Sequence, residues 1–143
     1  MAAEDMAGTI VNTIPRHETG KQYTRIGYYA LTEALELNDT ITFSDMVPGG
    51  CRVDYVILQA PELDTDGTPT GTIDVGDSDQ DKFIDGIAMD GGIFTINNVA
   101  TGLVNTPYTS TTDIVITVPT AVATGATSGL IILAVTYTAT GNE

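Results

Sequence analysis

The sequence predicts an all-β domain: a jelly-roll or Greek-key sandwich of about eight short strands with an extended N-terminal arm. Three observations predict it. Ile, Val, Thr and Tyr are abundant, and their branched or aromatic side chains fit a pleated surface. Fifteen Gly and six Pro break the chain at short intervals, which leaves room for strands but not for long helices. Where the chain runs uninterrupted, apolar side chains recur at every second residue. The 143 residues form one domain, residues 23–143, long enough to bury about two-thirds of its unfolded surface.

Residues 1–22 show no period and contain Gly8, Pro15 and Gly20, so they read as an arm that is ordered only where something holds it. Residues 23–31 alternate, with Ile26, Tyr28 and Ala30 on one face and Tyr29 and Leu31 on the other. The spacing of Leu31, Ala34 and Leu35 admits a helical turn over 31–37, too short to stand alone. Residues 39–43 set Thr40 and Thr42 opposite Ile41 and Phe43. Val47-Pro48-Gly49-Gly50 is a turn, with Pro fixing one φ and Gly free to take a positive one.

Residues 51–60 form a strand covered on both sides, with Val53, Tyr55 and Ile57 on one face and Val56 and Leu58 on the other. An acidic loop over 61–69, a strand over 70–75, a second acidic loop over 76–81 and a strand over 82–88 follow. Asp90-Gly91-Gly92 turns the chain into a weaker strand over 93–99. Residues 113–118 place Ile114, Ile116 and Val118 on one face. After a small-residue loop over 119–128, the last strand, 129–138, is apolar on both faces. Its two sets are Leu130, Ile132, Ala134 and Ile131, Leu133, Val135, Tyr137. The second set is a candidate oligomer interface, although an ordinary two-sheet core accounts for it equally well.

Charge is segregated. Residues 1–30 hold three acids (Glu4, Asp5, Glu18) and three bases (Arg16, Lys21, Arg25), so the formal charge of −14 belongs to the rest. Such a body repels nucleic acid and anionic membranes, so neither is expected as a partner. Arg16, His17, Lys21 and Arg25 read either as a loosely packed terminus or as a docking arm whose bases meet acidic groups on a partner.

No catalytic residues are assigned and no cofactor is expected. His17 is the only histidine, which removes Ser-His-Asp triads and His-based metal centres. No Gly-rich phosphate loop precedes a Lys, and Trp is absent. Asp77-Ser78-Asp79-Gln80-Asp81 has alternate carboxylates, but the EF-hand pattern fails where Lys82 and Ala88 replace its Gly and Glu. Asp77, Asp79 and Asp81 therefore read as a solvated turn or an opportunistic Ca²⁺ or Mg²⁺ site. Cys51 reads as a small buried thiol, and a lone cysteine forms no internal disulfide. The acidic start Met1-Ala2-Ala3-Glu4-Asp5 lacks a signal-peptide pattern, and the apolar run 130–135 is too short to span a bilayer. The expected setting is soluble and cytoplasmic.

Several stretches resemble the head decoration (cement) proteins of tailed bacteriophages. They are Ile26-Gly27-Tyr28-Tyr29, Met46-Val47-Pro48-Gly49-Gly50-Cys51-Arg52-Val53, the run from Thr72-Ile73-Asp74-Val75-Gly76 through Lys82-Phe83-Ile84-Asp85-Gly86, and Gly129-Leu130-Ile131-Ile132-Leu133-Ala134-Val135-Thr136-Tyr137. The resemblance covers most of residues 23–138. It implies a small β-sandwich without catalytic residues, often trimeric, that binds the major capsid protein on the outside of an icosahedral shell and reinforces it. It also implies a protein assembled in the host cytoplasm and carried on the virion exterior. Other readings are a head-fibre or tail-associated module recognising a host surface, or a carbohydrate-binding β-sandwich.

Overall fold

The computed structural model describes residues 3–11, 18–96 and 106–140. Ten strands form two five-stranded sheets and no helix occurs among these residues. The strands are β1 (Asp5–Ala7), β2 (Thr9–Ile10), β3 (Gln22–Ala30), β4 (Thr40–Val47), β5 (Cys51–Ala60), β6 (Thr72–Gly76), β7 (Ile84–Ala88), β8 (Ile93–Ile96), β9 (Thr112–Thr117) and β10 (Leu130–Ala139). One sheet runs β1-β4-β9-β6-β7 and the other β2-β3-β10-β5-β8. The last eight strands alone give 4-9-6-7 packed on 3-10-5-8, which is the jelly-roll arrangement of two interleaved Greek keys.

Period-2 patterning builds the core. Ile41 and Phe43 of β4, Ile73 and Val75 of β6, and Ile114 and Ile116 of β9 point inward from one sheet. Val56 and Leu58 of β5 and Ile131, Leu133, Val135 and Tyr137 of β10 meet them from the other. Each such side chain, fully removed from water, stabilises the fold by about 1.5–3 kcal/mol. Residues 31–37 form no helical turn; Leu31 and Leu35 bury themselves from an irregular segment instead. Gly50 closes the expected Pro-Gly-Gly turn with a φ of 78°, open to Gly at no steric cost.

The N-terminal stretch expected as an arm contributes two strands, one to each sheet. β1 pairs parallel with β4 and β2 antiparallel with β3. The chain crosses between the sheets at Gly8, whose N–H donates to Thr42 O at 2.8 Å. It covers the Phe43 ring, which leaves no room for a Cβ at Gly8.

Acidic residues hold the loops. Asp64 is buried and its carboxylate accepts the N–H groups of Gly71 (2.7 Å), Thr70 (3.0 Å) and Asp66 (3.1 Å). The Gly71 bond foremost, with those of Asp66 and Thr70, outweighs burial and holds this carboxyl below its usual range. Asp39 accepts from Glu36 N at 2.7 Å and Glu4 N at 2.9 Å. Asp74 accepts from Gly86 N at 2.8 Å and Gln80 Nε2 at 3.0 Å. Part of the negative charge that the sequence presents as surface is therefore spent on folding the loops.

Candidate interaction surface

The two outer faces of the sandwich differ in chemistry. On the β1-β4-β9-β6-β7 sheet the outward positions are mostly polar: Thr40 and Thr42 of β4, Thr72 and Asp74 of β6, and Asp113 and Thr117 of β9, with Val115 and Ala7 the apolar members of the row through Thr42. Thr40 Oγ1 donates to Asp5 at 2.7 Å, and the Thr72 and Thr120 hydroxyls meet at 2.8 Å. This is the polar exterior expected of a solvated sheet.

The β2-β3-β10-β5-β8 sheet is different. Antiparallel pairing aligns Ile26, Ala134, Ile57 and Ile96 in one row across β3, β10, β5 and β8. The next row sets Tyr28 beside Ile132 and Gln59, and a third sets Ala30 beside Leu130. On the other side lies a row of Thr24, Thr136 and Tyr55, with the two threonine hydroxyls 2.8 Å apart. These rows contain no acid and no base. Ile26, Tyr28, Tyr55, Ile96 and Leu130 are exposed.

The patch ends at a bulge. Register shifts between Thr136 and Tyr137, so that Thr136 opposes Tyr55 while Tyr137 opposes Val53 and Asp54 is left between. Asp54 gathers Gln22 Nε2 (3.0 Å), Thr138 Oγ1 (2.5 Å) and Arg52 Nε (3.4 Å) into a polar border. The bulge also corrects the face assignment in β5. Val53 joins Val56 and Leu58 in the core, and Tyr55 and Ile57 point outward without it.

The residues singled out from the sequence fall elsewhere. Ile131, Leu133, Val135 and Tyr137 are fully buried within one chain and have no surface left for a partner. The oligomer-interface expectation thus falls on the face of β10 that the chain buries in its own core. The outward set is Leu130, Ile132 and Ala134. Tyr137 stacks at a tilt on Tyr23, 6.0 Å between ring centres, and burial pushes its hydroxyl up to about 12.

Arg16 and His17 lie outside the described residues. Lys21 pairs with Glu18 at 2.6 Å on the surface. Arg25 is buried and donates through a guanidinium nitrogen to Asp45 O at 2.5 Å, so it is a structural residue and not a docking one.

Asp77, Asp79 and Asp81 do not converge. The Asp77 carboxylate receives Tyr108 O–H at 2.7 Å, Asp79 N–H at 2.8 Å and Lys82 Nζ at 3.0 Å. Burial pushes the Asp77 carboxyl up, but these three bonds and the Lys82 charge outweigh it and hold the group below its usual range. Asp79 is raised, chiefly because it shares a hydrogen bond with Asp81. Among the described residues, no three His, Cys, Asp or Glu side chains form a metal-holding set. A cavity of about 450 Å³ opens beside Asp77, lined also by Ser78, Tyr108, Thr111, Thr112 and Asp113. Lys82 sits 5.3 Å from the Tyr108 ring centre and closes one side of this network.

No protein-family model and no curated protein matches the chain. Two solved structures share its fold. One is a chain from the capsid of Ralstonia phage GP4, with 21% identical residues and a TM-score of 0.74 over 90% of this chain and 90% of that chain. The other is a chain from the cyanophage Pam1 capsid asymmetric unit, with 28% identity and a TM-score of 0.70 over 90% of this chain and 92% of that chain. The fold of this chain is thus one that phage capsids contain, matched over nine-tenths of its length.

Proposed function

We propose that this chain is a non-enzymatic structural protein of a phage head, which decorates the capsid exterior by binding the major capsid protein. One observation carries the reading: the fold is shared, nearly end to end, with chains from two phage capsids. The physics is compatible. A clamp that bridges neighbouring shell subunits raises the cost of separating them, and weak contacts repeated over a symmetric surface sum to a large stabilisation. A charge of −14 keeps crowded copies from aggregating through their sheet edges.

In this reading the sandwich is the decorating body and the copies associate with one another. Arg16, His17 and Lys21 of the N-terminal stretch are the bases offered to the shell. The experiment is quantitative mass spectrometry of purified particles of the encoding phage, counting this chain against the major capsid protein. A ratio fixed by the symmetry of the shell supports decoration. A handful of copies moves the chain to a fibre or tail, and absence from the particle overturns the reading.

A further inference from the structure

We infer that the outer face of the β2-β3-β10-β5-β8 sheet is buried against the same face of a second copy of this chain. Area is the first argument. Ile26, Tyr28, Tyr55, Ile96 and Leu130 are 36–53% exposed and sit on four neighbouring strands. Together they expose about 400 Å² of apolar surface in one patch, the size at which a patch marks an interface and not scattered surface residues. With the partly exposed Ile57, Ile132 and Ala134 added, two such faces bury about 1,000 Å² in total, the lower bound for a specific interface.

Charge selects the occupant. Each copy carries −14, so two copies repel wherever acidic surfaces meet. The opposite sheet presents Asp5 of β1 and Asp113 of β9 on its outer face, and pairing it with a copy would set carboxylate against carboxylate. The apolar rows between Leu130 and Tyr55 hold no acid or base, so this face meets itself without desolvating a charge. A basic partner would gain nothing here and would be drawn to the other sheet. Ala134 stands between Ile26 and Ile57 in the long row, a small side chain between two large ones.

The inference takes up the self-association within the proposed function but is tested on the isolated full-length chain. Its failure is therefore separate from a failure of the particle count. Light scattering behind size exclusion at micromolar concentration should give a mass twice that of one 15.0 kDa chain, because a face that meets itself closes as a dimer. Raising the salt concentration should strengthen the assembly by screening the net charge. Ile132→Glu should return the mass to that of one chain, and Leu130→Glu, more exposed at the strand end, does the same if Ile132→Glu fails to fold. Thr42→Glu on the opposite sheet should leave the assembly intact. A wild-type protein that stays at 15.0 kDa throughout overturns the inference, as does an assembly that survives a folded Ile132→Glu or Leu130→Glu variant.

Discussion

The Arg25 guanidinium crosses from β3 to the opposite sheet and donates to the backbone carbonyl of Asp45, 2.5 Å away. Asp45 is where β4 bulges, with a φ of 56° and a register shift between Phe43 and Val47. The same residue's N–H donates to Asp113 at 2.8 Å, so the strained peptide is held from both sides. Arg25→Met keeps the apolar stem and removes the donor. It should cost about 1.5–3 kcal/mol, the usual range for a hydrogen bond to a charged group. Urea unfolding checks this: an unchanged midpoint would mean that the bridge contributes nothing.

Phe43 lies against Gly27, where a Cβ would stand 2.5 Å from its ring. Gly27→Ala should therefore destabilise by about 1–3 kcal/mol through overpacking. Phe43→Ala alone should cost about 3–5 kcal/mol, because the ring is fully buried. Combining Gly27→Ala with Phe43→Leu should cost less than the sum of the single changes, and a double-mutant cycle measures the coupling. Strict additivity would show that the two positions do not share the space.

These contacts also show how far the sequence could be read. Most strands of the body are visible in it because they alternate or are apolar throughout; β7, Ile84-Asp85-Gly86-Ile87-Ala88, keeps no period and is marked only by the turns on either side. β1 and β2 are not, since Asp5-Met6-Ala7 and Thr9-Ile10 are too short to carry a period and are strands only through their partners. The bulge at Asp54 reverses the outward face of β5 partway along, and no residue type announces it. In β10 both faces are apolar, so composition cannot say which one meets the other sheet. The exposed apolar face was hidden by that ambiguity. Arg25 resembles Lys21 in sequence and differs from it in being buried where Lys21 is exposed.

Stability should peak on the acid side of neutrality. Glu4 is raised by its hydrogen bond to Glu33, then by repulsion from Glu33, Asp39 and Glu36. A raised carboxyl binds protons more tightly in the folded state, so stability grows as pH falls from neutral towards its folded value, above 4.5. Asp64 and Asp77 are lowered. Their contribution is complete above the ordinary value of 3.8 and fades as pH falls below it through their folded values. A thermal-melt series across this range should rise and then fall. A monotonic profile would contradict one of the two groups.

The last prediction concerns Asp77, whose carboxylate already receives three donors. Burial, then the bond to Asp77, pushes the Tyr108 hydroxyl far above its usual range, so it remains protonated and keeps donating. A divalent cation would have to displace Lys82 or Tyr108 to reach both oxygens, and Asp79 and Asp81 are engaged with each other. Millimolar Ca²⁺ or Mg²⁺ should therefore leave the melting temperature unchanged, and so should a chelator. Tyr108→Phe removes one donor from a carboxylate that keeps the other two, and should cost about 1–2 kcal/mol. A clear rise in melting temperature with Ca²⁺, abolished by Asp77→Asn, would instead make this loop a cation site that rearranges on binding.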